Sequence, residues 1–191
     1  MKSFIFLAIT FISLFSYAGL EEEMIALKDV PRDYFDTGAI CEEVARLNMI
    51  QVYPAPQYKV LTGVAYDNGQ GTSGELDVVV FDMNTNKAIK VAEVKCWNKL
   101  GQALDKAYKQ RKRFFGYRDN SENIGYKKAH SNETFTKDQF AYVTEFITIG
   151  QAGAKAAGFD EELQYSLKEL MTLRDMMMKC QRQKQCVAPI N

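Results

Sequence analysis

The sequence predicts an α/β domain built on a mixed sheet flanked by helices. Three observations carry that prediction. Three apolar-alternating segments follow one another with turn-forming residues between them. Segments of helical periodicity lie before and after them. A further strand-like run and a final amphipathic stretch close the chain. The expected order is αβββαβα.

The elements are justified in turn. Residues 19–35 read as an acidic lead-in ending at Pro31. Asp36 or Thr37 is placed to cap a helix running to about Ile50, with Ile40, Val44 and Leu47 at helical spacing. Pro54 and Pro56 end it. Tyr58 to Tyr66 alternates as a strand and Asp67 to Gly71 turns the chain. Leu76 to Asp82 is a Val-rich strand, Asn84-Thr85-Asn86 a turn, and Ala88 to Trp97 the third strand. Gln102 to Tyr117 reads as a strongly basic helix, 118–138 as a long polar loop, and Gln139 to Ile149 as the fourth strand. The last helix is expected over Asp160 to Lys179, with Leu163, Leu167, Leu170, Arg174 and Met177 along one face. The Met176-Met177-Met178 cluster reads as packing.

Composition bounds the function. With 191 residues, 47% hydrophobic and 25% charged, the chain suits one globular domain. Lys+Arg and Asp+Glu balance at 24 each, which excludes a histone-like polycation. One histidine, His130, argues against paired imidazole catalysis and against a His-rich zinc site.

Residues 1–18 read as a secretory signal. Lys2 supplies the positive charge, Phe4 to Phe15 the apolar run and Ser16-Tyr17-Ala18 a small-x-small cleavage site. An uncleaved anchor is the alternative. Residues 19–191 then form a single domain, with a core of about 36–150 and a C-terminal helical extension over 151–191, in the periplasm or outside the cell and without stable membrane association. Cysteine usage agrees with export. Cys180 and Cys186 are close enough in sequence to pair with each other, which leaves Cys41 for Cys96. Four free buried thiols are the alternative.

The segment GELDVVVFDMNTNKAIKVAEVKCW, residues 74–97, carries the chemistry. Strand alternation puts Glu75, Asp77, Val79 and Phe81 on one face, and Glu93, Lys95 and Trp97 on one face of the next strand. In an antiparallel hairpin Asp77 falls beside Glu93, with Lys95 one repeat along. Two carboxylates so close repel each other, and a hard divalent cation relieves the repulsion. A neighbouring lysine then serves an attacking water and a phosphate transition state. The plainer alternative is an exposed strand face of alternating charge.

Asp77, fifteen residues, then Glu93-Val94-Lys95 on a hairpin, after a helix carrying Glu, resembles the PD-(D/E)xK nuclease superfamily. TGAICEEVAR at 37–46, GELD at 74–77, VAEVKCW at 91–97 and KQRKRF at 109–114 resemble the small YraN-type restriction-endonuclease-like proteins. The resemblance covers residues 37–115. It implies a restriction-endonuclease-like αβββαβ core, metal-binding Asp77 and Glu93, catalytic Lys95, and a Mg2+ or Mn2+ cofactor. It further implies Glu42, or in its place Glu43, as the helix ligand, the Val94 carbonyl as another, and Gln110 facing the site. Glu75 would stand behind Asp77 or be a surface acid. Export and the C-terminal extension depart from the YraN-type pattern.

Residues 99–128 hold nine basic and three acidic side chains. Lys109, Lys112 and Arg113 head the candidates for binding phosphates of nucleic acid, DNA before RNA, with little sequence specificity. A solvated helix face is the alternative reading. The expected activity is an exported, metal-dependent phosphodiester hydrolase. Its competitors are a nucleic-acid-binding module of the same fold without turnover, and an envelope interaction protein.

Overall fold

A computed structural model describes residues 19–67 and 71–189. The predicted signal at 1–18 lies outside them, and the first helix, α1, spans 19–27. The chain divides into two compact units, one from the residues up to Ile40 together with those from Lys168 onward, the other from Cys41 to Leu167.

The larger unit is an α/β fold with a seven-stranded mixed sheet. Its elements are α2 (Ala39–Val52), which begins in the smaller unit, β1 (Tyr58–Asp67), β2 (Thr72–Asp82), β3 (Lys87–Lys95), α3 (Leu100–Asn120), β4 (Gly125–Lys128), β5 (Thr134–Phe135), α4 (Lys137–Phe140), β6 (Glu145–Gly150), a 3-10 turn at Lys155–Ala157 and β7 (Glu161–Glu162). The strands lie in the order β5-β4-β1-β2-β3-β6-β7. The pairings from β5 to β3 are antiparallel, and β3–β6 and β6–β7 are parallel.

The predicted meander is present, and its register explains the core. Leu61 pairs with Val79, Val79 with Val91 and Val91 with Phe146, a row of apolar side chains across four strands. Phe114 of α3 joins these residues in one buried cluster. Each such side chain contributes roughly 1.5–3 kcal/mol when fully buried. The next row holds Thr62, Val78, Ala92 and Ile147. Strand alternation turns that row to the opposite face, where Glu43 of α2 meets Thr62. The sheet therefore carries α3 on one face and α2 on the other.

Four sequence expectations are corrected. The segment 118–138 contains β4 and β5, with β4 extending the sheet beyond β1. The fourth strand of the meander-plus-one prediction begins at Glu145, because Thr136 and Gln139 form a capping box that turns 137–140 into α4. The final helix, α5, is Leu167–Arg182. Leu163 stands before it, its N–H donating to the Gly150 carbonyl at 2.8 Å. In the acidic lead-in, residues 19–27 are helical (α1).

The smaller unit contains α1 and most of α5. Leu170, Leu173, Met177 and Cys180 are the buried face of α5. Its contacts with the N-terminal segment include Arg174 to the Phe35 carbonyl at 2.8 Å and Gln181 to the Arg32 carbonyl at 2.8 Å. Both expected cysteine pairs are bonded, Cys41 to Cys96 in the larger unit and Cys180 to Cys186 in the smaller. Such bonds suit an oxidising compartment. Among the described residues no helix is long and apolar enough to cross a membrane.

Candidate active site

The site starts where the β2–β3 ladder ends. Val78 pairs with Ala92, so Asp77 and Glu93 stand opposite each other one position further on. There the Asp77 side chain takes over from the backbone, its Oδ2 accepting the Val94 N–H at 2.8 Å. Both carboxyl groups are interior, Asp77 at 6% exposure and Glu93 at 0%. Glu93 shares its strand face with Val91, whose neighbours include Phe114, and therefore looks toward the α3 side of the sheet.

Lys95 closes the group. Its Nζ lies 2.9 Å from Asp77 Oδ2, 2.5 Å from Glu93 Oε1 and 3.0 Å from the Val94 carbonyl oxygen. Glu93 thus meets the amine as a close ion pair, inside a pocket closed to solvent. Burial, and then the charge of Asp77, push the Glu93 carboxyl up to about 9, against the pull of Lys95. Burial also works against the Lys95 ammonium, but Asp77 and Glu93 outweigh it and hold the amine above its ordinary value. Two carboxylates thus face one cation in a desolvated pocket. A proton on Glu93, or a second positive charge, balances it.

The oxygens around Nζ come from two carboxylates and one backbone carbonyl. These are the hard oxygen ligands that Mg2+ or Mn2+ takes, with water in the remaining positions. Asp77, Glu93 and Val94 thus fit such an ion by type. The helix glutamates do not complete a third carboxylate. Among the described residues no set of three His, Cys, Asp or Glu side chains is grouped to hold a metal. Glu43 accepts from Thr62 Oγ1 at 2.7 Å and pairs with Arg46 at 2.6 Å. Glu42 is buried beside it in sequence. Glu75 is exposed on β2.

The basic helix supplies the surroundings. Gln110 follows the inward stripe of Ala103, Ala107 and Phe114 along α3, with its Oε1 buried and lacking a hydrogen-bond partner among the described residues. Lys109, Lys112 and Arg113 line a shallow groove together with Tyr117. Tyr66, which the sequence reading passed over, links groove to pocket. Its buried phenol feels both the Arg113 guanidinium and the Glu93 carboxyl. The ring fits because its cross-strand partner is Gly74, where a Cβ would run into the phenol. Only the strand register reveals this pairing, and no local motif signals it.

The chain matches no protein-family model, no curated protein and no solved structure.

Proposed function

We propose that this protein is a divalent-metal-dependent nuclease, exported to an oxidising compartment, that hydrolyses phosphodiester bonds of DNA or RNA without reading sequence. The observation that carries the reading is the Lys95 ammonium held by Asp77, Glu93 and the Val94 carbonyl in a buried pocket. The restriction-endonuclease-like core is the fold this reading assigns, on the order α2-β1-β2-β3-α3 followed, after β4, β5 and α4, by β6 parallel to β3, with these three residues on one hairpin.

In this reading Asp77, Glu93 and the Val94 carbonyl hold Mg2+ or Mn2+. Those residues would give the ion its place, and when bound it would supply Lewis acidity and a more acidic water. Lys95, released from the carboxylates, donates to a phosphate oxygen and orients the attacking water. Lys109, Lys112 and Arg113 neutralise neighbouring phosphates, which fixes the strand without reading bases. Gln110 offers its amide toward the same side of the sheet.

A second reading, a nucleic-acid-binding module without turnover, is favoured by one observation: no third carboxylate joins the pair among the described residues. A plasmid-degradation assay separates the two. The nuclease reading expects cleavage with Mg2+ that EDTA and Lys95→Ala each abolish. Cleavage insensitive to both would place the activity elsewhere, and binding without cleavage under any divalent ion would support the module.

A further inference from the structure

Trp97 is the single tryptophan of the chain, and 38% of its surface stays exposed two residues beyond Lys95. An indole gains more from burial than almost any side chain, so one held exposed on fastened backbone forgoes a large gain. Here the backbone that carries it is fastened. Cys96 is bonded to Cys41. The Trp97 carbonyl accepts from the Nε2 of buried Gln151 at 2.8 Å. Three residues on, α3 begins. The Lys106 ammonium sits 4.9 Å from the ring centroid. The molecule therefore presents a fixed aromatic surface, backed by a cation, two residues along the chain from Lys95.

From that ring a basic lane continues. Lys106, Lys109 and Arg113 are spaced three and four residues apart and so share one flank of α3. Lys109 and Arg113 go on to line the groove that holds Tyr117. From Lys106 to Tyr117 the helix rises about 16 Å, room for a few nucleotides. A π-face followed by evenly placed cations is the pattern that binds a single strand, with a base on the ring and phosphates along the lane. In a duplex the π-faces are covered by neighbouring pairs, and only an end could use the ring.

We propose that Trp97 is a stacking platform for an unpaired base and that the substrate of the site is single-stranded nucleic acid. This rests on the nucleic-acid reading above and narrows it.

The single tryptophan makes the test direct. In EDTA, a short oligothymidylate is titrated into the full chain while indole fluorescence is followed, and binding is measured separately by anisotropy of a labelled strand. The expected result is quenching that saturates with binding, roughly tenfold weaker binding for Trp97→Ala, recovery of most of it in Trp97→Phe, and weaker binding of the blunt duplex. If the strand binds while the indole signal and the Trp97→Ala affinity stay unchanged, the platform is overturned, and Mg2+-dependent, Lys95-dependent cleavage would leave the nuclease reading standing. Duplex preferred over single strand overturns the substrate assignment. Quenching without cleavage under any divalent ion supports the platform and removes the nuclease reading. No binding of either form overturns the platform and the substrate assignment, and cleavage with Mg2+ then decides the nuclease reading by itself.

Discussion

The Lys95 ammonium stands 2.5 Å from Glu93 Oε1, a carboxylate oxygen with no exposure to solvent. Together with Asp77 Oδ2 and the Val94 carbonyl, that oxygen encloses the amine. A divalent ion using the same oxygens must displace it. Lys95→Met, which keeps the length and loses the charge, is therefore expected to bind Mn2+ at least about tenfold more tightly while losing cleavage. A tenfold change is only about 1.4 kcal/mol, small beside the charge repulsion removed. Isothermal titration reads this without any substrate. Affinity equal to or below that of the parent protein would show that the amine and the ion do not compete.

The buried Glu93 carboxyl also sets a pH dependence. Its folded value is raised from 4.5 to about 9, by burial and then by the charge of Asp77. The folded state therefore binds the proton more tightly than the unfolded state does. This contribution to stability is complete below 4.5 and is lost as pH rises through about 9. Lys95, raised above 10.5, adds no slope in that window. In EDTA, stability is expected to fall between about pH 5 and pH 9, by at most about 1.4 kcal/mol per pH unit. Glu93→Gln flattens the fall. Thermal melts of the two proteins across the range check it, and parallel profiles would assign the slope to other groups.

The Tyr66–Gly74 pair invites a double-mutant cycle. A methyl at Gly74 would strike the Tyr66 phenol, so Gly74→Ala is expected to cost about 1–3 kcal/mol in a denaturant titration. In a Tyr66→Leu background the same change should cost distinctly less. Strict additivity would mean that the two side chains do not meet.

The groove along α3 carries a charge prediction. Lys109→Ala, Lys112→Ala and Arg113→Ala are each expected to weaken binding to all sequences alike and to lower the salt dependence of the affinity by about one ion. Arg113→Ala carries a second effect, because its guanidinium also lies beside the Tyr66 phenol. Anisotropy at several salt concentrations measures both. A change in sequence preference with no change in salt slope would contradict a phosphate role.

How much of this was legible depended on periodicity. Strand alternation from Leu76 to Lys95, with one short turn at Asn84–Asn86, leaves few possible registers, and the observed one sets Asp77 opposite Glu93. The basic helix was also readable, although it runs from Leu100 to Asn120 and so exceeds the predicted 102–117 at both ends. The four-residue β4 and two-residue β5 were not, since strands so short show no period of their own and exist through pairing with β1 and with each other. The capping box at Thr136 and Gln139 was in plain view, and the apolar residues after it drew the strand too early. At Leu163 the helical spacing continued backward by chance into β7's neighbourhood. The roles of Glu43 and Tyr66 depend on what lies across the sheet from them, on Thr62 and on Gly74.

An amine already seated among acidic oxygens also bears on how the protein survives shortage. The interior charge is partly neutralised by a group the chain carries itself, so the pocket needs no imported ion to stay assembled. On the nuclease proposal, chelated protein would then be a dormant reserve, folded and ready, regaining its powers when ions return without passing through an unfolded state.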